Sequence, residues 1–221
     1  MHRAQHCAVD DLFALTAHAR ASLPLDVLAG LTLLSLVPFI AVMTTSFVRI
    51  VVVLSLVRSA IGSPTIPPSM VLTGLAIVLT ILVMTPTLQT IRTDALAPYA
   101  RGRLSQSAFV SRAVEPLQAF MRRQTRAKDL ALFARVAHRP PTEIAVLVPA
   151  FVVGELRSAF AIGVALYLPF LAIDLAVAAI LMSLGMMMLS PPIVSLPLKL
   201  LLFVSVDGWA LVCAGVTASF R

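Results

Sequence analysis

Between residues 23 and 57 the chain is almost continuously apolar. That is about 35 residues, where a helix crossing the hydrocarbon of a bilayer needs only about 20. One straight span does not explain such a block, and Pro38 offers a kink within it. Arg49 lies deep inside, where a charge facing lipid would cost several kcal/mol, so Arg49 is expected to face protein or water. A second overlong block, from about residue 142 to 184, carries Glu155, Arg157 and Asp174 together with Pro149 and Pro169. Apolar helices that contain charges and prolines need protein around them as well as lipid. Hydrophobic residues make up 59% of the sequence and charged residues 12%, half the usual share, which fits a membrane or membrane-complex protein.

The order of segments predicts an all-α, polytopic membrane-complex protein of two long helical hairpins with short amphipathic helices between them. Residues 1–22 form a polar N-terminal segment without a clean apolar core, so no cleavable signal is expected there. Residues 23–88 make the first hairpin. Its turn is the stretch SAIGSPTIPPS, rich in helix stops, and residues 70–88 are the return helix, with Pro86 near its end. Residues 89–141 are basic; Phe109, Ala113, Leu117 and Phe120, and then Leu130, Phe133 and Val136, recur at helical spacing. Pro116 is expected to interrupt these helices or to start the second. A solvated basic face packed on a neighbour explains the segment better than a lipid or nucleic-acid surface, since aromatic interleaving is sparse. Residues 142–221 form the second hairpin, opened by Pro140 and Pro141 and returning over residues 193–220.

The turn of that hairpin sets three soft, unbranched side chains, Met186, Met187 and Met188, just before Pro191 and Pro192. The prolines are expected to stop the preceding helix and leave the methionines at a helix end or turn. Read without context, they are gap fillers in an apolar bundle. Glu155, Arg157, Asp174 and Lys199 need partners within or between subunits, and one of the acids is expected to pair with Lys199. Asp207, Gly208 and Trp209 read as a packing or assembly motif, an interfacial Trp beside a residue that permits close helix approach.

Several function classes find no footing. A net charge of +7 does not make a nucleic-acid module, because no basic groove-reading element accompanies it. Cys7 and Cys213 support neither a disulfide framework nor a metal site. No catalytic motif is present, no residue is assigned a catalytic role, and no cofactor is implied.

Five stretches carry a resemblance: MTTSFVRIVVVLSLVRSAIG from Met43, IPPSMVLTGLAIVLTILVMTP from Ile66, EPLQAFMRRQTRAKDLALF from Glu115, PAFVVGELRSAFAIGVALYLPFLAIDL from Pro149 and GMMMLSPPIVSLPLKLLLFVSVDGW from Gly185. They resemble the FliP proteins of the flagellar type III export apparatus and their SctR-like injectisome relatives, with RQTRAKDLALF closer to the flagellar kind. The resemblance implies paired helical hairpins assembled as a homo-pentamer with FliQ-like, FliR-like and FlhB-like subunits. Unfolded secreted proteins would pass through the centre, in the bacterial inner membrane at a flagellar basal body or injectisome base. Part of the complex would stand at periplasmic height, in contact with membrane lipid. It also implies that Met186 to Met188 form a ring narrowing the pore, and that residues 89–141 lie on the periplasmic side, against the positive-inside rule. The alternatives are a small polytopic carrier with Glu155, Asp174 and Lys199 at a midplane site, or a passive membrane scaffold.

Overall fold

A computed structural model describes residues 25–220 apart from Pro64 and Met187. The polar N-terminal segment 1–22 lies outside the described residues. The chain divides into two units, Met1–Ala41 and Val42–Arg221. Within the first, the apolar run forms most of helix α1 (Leu25–Thr44), which carries Pro38 inside it and exposes Leu31, Leu36, Val37, Phe39 and Ile40.

Among its described residues the second unit is built of helices joined by turns and short loops and has no strand. Its centre is α2 (Phe47–Ile61), in which Ile50, Val53, Leu54, Val57, Ala60 and Ile61 are all buried. The apolar block is thus divided at Thr45 and Ser46, and Pro38, where a kink was expected, lies inside α1. Thr and Ser compete for backbone hydrogen bonds and favour helix ends, whereas a proline inside a membrane helix is tolerated. A turn follows in which Gly62 takes a left-handed conformation (φ 91°), one that side chains with a Cβ resist. Arg58 Nη1 donates to Ser69 Oγ at 2.9 Å across this turn.

The return helix α3 (Ser69–Ile91) continues through a π-helical turn (Arg92–Leu96) and one last α turn (Ala97–Ala100). Two amphipathic helices then cross back, α4 (Gln106–Gln124) and α5 (Ala127–Ala137). Pro116 does not interrupt them. It lies inside α4, and the break falls at Thr125 and Arg126, where the backbone is extended. Phe120 and Met121 are buried in a cluster with Met84, Leu147 and Phe151. The arginines of this segment stay exposed, so the basic face is solvated and the apolar face packed. In α5, Val136 is exposed and Asp129 is the buried residue, which periodicity of apolar residues alone could not show.

Helix α6 (Ile144–Ser183) starts three residues beyond Pro141 and runs 40 residues through both Pro149 and Pro169. Leu147, Phe151, Glu155, Ala159 and Gly163 fall at four-residue steps and are all buried, a single stripe against α2 and its neighbours. The stripe narrows as it runs. A Cβ built on Gly163 would sit 2.2 Å from Leu56 Cδ1 and 3.1 Å from Leu56 Cβ, so α2 and α6 approach too closely for a larger residue there. Gly163→Val is expected to lower stability by about 1–3 kcal/mol through overpacking. Thermal unfolding in detergent would measure it, and an unchanged midpoint would contradict the close approach.

The last apolar stretch is not one helix. It splits into α7 (Pro191–Ser205) and α8 (Gly208–Ala218), bent 65° from each other. By length and hydropathy, Ser69–Ala100 and Ile144–Ser183 are each able to cross a membrane, and α7 with α8 would add a broken span.

Candidate functional site

The methionine turn is built by the end of α6. Gly185 takes φ 72°, its N–H reaches Met182 O at 3.1 Å, and Met186 N–H reaches Leu181 O at 2.9 Å. These are the two bonds of a Schellman cap, which satisfies the last carbonyls and turns the chain out of the helix. Pro191 and Pro192 do not stop α6, which has ended eight residues before Pro191; they occupy the first turn of α7, where a missing N–H costs nothing. Met186 and Met188 therefore lie in the connection. Met186 is 43% exposed and Met188 fully so, while Met187 lies outside the described residues. Met188 fills no gap in the described chain.

The four charged residues singled out from sequence do not gather. Glu155 is completely buried and pairs with Arg49, Nε to Oε2 at 2.8 Å and Nη2 to Oε1 at 2.5 Å. Arg49 Nη1 also donates to Ser219 O (2.8 Å) and Oγ (2.9 Å), and its guanidinium lies 3.9 Å from the Phe220 ring centroid. One side chain thus ties α2 to α6 and to the end of the chain. Arg157 is half exposed and uses one nitrogen to hold both oxygens of buried Asp129 at 2.8 Å, joining α6 to α5. Only Asp174 and Lys199 pair with each other, at 2.6 Å between α6 and α7; Ser195 Oγ donates to the same carboxylate at 2.5 Å.

Two partners, Arg49 and Asp129, were missing from the set of site residues read from sequence. Arg49 carried a signal, a charge in an apolar block. Asp129 carried none, since it sits in a polar helix beside Lys128.

Asp207, Gly208 and Trp209 mark the bend. Asp207 adopts the left-handed conformation (φ 50°) that Asp tolerates better than most residues. A Cβ on Gly208 would lie 2.3 Å from the Phe203 ring, and Trp209 packs edge-on to that ring at 5.2 Å. This geometry makes the three residues a corner between α7 and α8. Among the described residues, no three of His, Cys, Asp and Glu come together as a metal set.

Comparison with known proteins matches this architecture to one family. The FliP family profile covers residues 30–216. The chain is 47% identical over 205 residues to the flagellar biosynthetic protein FliP of Pectobacterium carotovorum, covering 90% of this chain and 80% of that one. To the protein of the same name from Bacillus subtilis it is 42% identical over 216 residues, covering 95% and 98%. The protein of that name from Buchnera aphidicola subsp. Baizongia pistaciae is longer; at 43% identity, 90% of this chain matches 57% of it. The matched region contains both membrane-capable helices, the methionine turn and the three ion pairs described above, and the chain belongs to the FliP family.

Proposed function

We propose that the chain is a channel-forming subunit of the type III protein export apparatus, passing unfolded flagellar proteins across the bacterial inner membrane within a homo-oligomeric ring. FliQ-like, FliR-like and FlhB-like subunits complete the ring, and residues 89–141 face the periplasm. The observation that carries this reading is the methionine turn. Flexible apolar thioethers held outside the fold by a Schellman cap have nothing of their own chain to seal, so several copies can close them around a passing polypeptide. An apolar constriction of that kind stays poorly wetted when empty. Glu155 and Asp174 stand 19 residues apart on α6, roughly 28 Å along a helix, and each is engaged by a different cation. That separation disfavours a carrier with one convergent charged site.

Replacing Met186, Met187 and Met188 together with Ala in the assembled complex is expected to leave ring assembly intact and to raise ion conductance in planar bilayers. An assembled ring with unchanged conductance would sink the role of these residues. A chain that stays monomeric when coexpressed with the three partner subunits, judged by native mass spectrometry, would sink the export reading itself.

A further inference from the structure

Charge pairing in the apolar stretches of the second unit leaves a remainder. Among the described residues, every Arg, Lys, Asp and Glu in 42–88 and 142–220 is in an ion pair except Arg58 and Asp207. One cation and one carboxylate are left over. Arg58 is served by neutral oxygens alone: Nη1 donates to Ser69 Oγ at 2.9 Å and to Pro67 O at 3.4 Å, while Nε is buried without a partner. Asp207 precedes α8 and does not cap it through its side chain. It is the one charged residue between Leu200 and Phe220.

Both charges stand beside apolar surface that the chain leaves open. Ile66 and Met70 flank the two oxygens that hold Arg58, and Met70 is 85% exposed. Val204 and Leu211 lie one turn to either side of Asp207, and Val204 is 76% exposed. Apolar surface of this kind marks a contact. Covering it strips water from the charge beside it, which then needs an opposite charge. The two charges lie on different sides of α2. Successive residues of a helix point about 100° apart. Leu56 turns to Gly163 of α6, Val57 lines an apolar cavity with Leu202, Val206 and Leu211 at the α7–α8 corner, Arg58 turns to the start of α3, and Ser59 is exposed. Opposite charges on two different patches suit a head-to-tail contact, the kind that closes into a ring.

We propose that Arg58 of one copy pairs with Asp207 of the next, and that Ile66 and Met70 on one side and Val204 and Leu211 on the other are buried in the same contact. The guanidinium offers a carboxylate the nitrogens that Ser69 and Pro67 leave free. The inference rests on the homo-oligomeric ring of the proposed function and names a contact that holds it.

Two variants each remove one charge and keep the local fold: Arg58→Gln retains a donor for Ser69, and Asp207→Asn retains a residue that tolerates left-handed backbone. Coexpressed with the three partner subunits and followed by native mass spectrometry, each should lower the fraction of chain in rings about tenfold, the worth of one charge-assisted contact. The double variant should be no worse than either single one, because neither charge is then left alone. Losses that multiply overturn the pairing. So does loss of the FliQ-like or FliR-like subunit from an intact ring, which would give the two charges to those partners. Position is read separately, with Arg58→Cys/Asp207→Cys in a Cys7→Ser/Cys213→Ala background treated with a short bismaleimide. Covalent multimers larger than a dimer are expected, since each copy is linked to two neighbours. An assembled ring that gives none, or one in which a single-cysteine variant gives dimers, overturns the contact. A wild-type chain that stays monomeric with all partners present overturns the ring reading itself, whereas a ring insensitive to both neutralisations overturns only this pair.

Discussion

Arg49→Met is expected to destabilise the protein by about 3–5 kcal/mol, because it strands a carboxylate that has no exposure at all. Glu155 receives two short bonds from Arg49 and is cut off from water, so nothing replaces the lost partner. The reverse change, Glu155→Leu, should cost less. Arg49 would keep Ser219 O and Oγ as acceptors and its place over Phe220, with Gln124 Oε1 at 3.5 Å from Nη2. The double variant Arg49→Met/Glu155→Leu should recover a large part of the loss, since removing both charges removes the desolvation cost of each. Thermal unfolding in detergent, followed by far-UV circular dichroism, gives the cycle. Strictly additive single effects would show that the two side chains are not coupled.

The second large effect is an asymmetry at the other end of α6. Lys199 has a side chain 6% exposed and Asp174 one 27% exposed, so the two do not lose equally when parted. Asp174→Ala leaves a buried ammonium whose nearest remaining acceptor is Ala60 O at 3.4 Å, a loss of about 3–5 kcal/mol. Lys199→Ala leaves a carboxylate that still accepts from Ser195 Oγ and reaches solvent, so the loss should be nearer 1–3 kcal/mol. The same unfolding measurement ranks them. A larger loss for Lys199→Ala would mean that Asp174 is the more enclosed partner.

Much of the fold was legible because hydrophobic pattern is a local property. The amphipathic spacing around Phe120 and the unbroken apolar runs are enough to make the chain helical, and the cluster of Gly185 and Pro191 is enough to turn it. The positions of the helix breaks were the weak point. Pro38, Pro116, Pro149 and Pro169 all lie inside helices, while the actual breaks fall at Thr45, Thr125 and Val206. A proline removes one hydrogen bond and bends a helix that its neighbours can still hold; a break needs residues that leave helical backbone altogether. Asp207 does so at φ 50°, and VDGW gave no sign of it because a left-handed Asp is a matter of tertiary fit.

The sequence by itself determined that the chain is helical, that its apolar segments exceed simple spans, and that Met186 and Met188 follow a helix end, because periodicity, length and cap chemistry act over a few neighbouring residues. Only the tertiary structure decided which charges meet. Arg49 and Glu155 are 106 positions apart, and Asp129 and Arg157 are 28 apart. Helix packing brings them within hydrogen-bond range, where the cost of desolvating a charge leaves Arg49, Glu155 and Asp129 dependent on their partners.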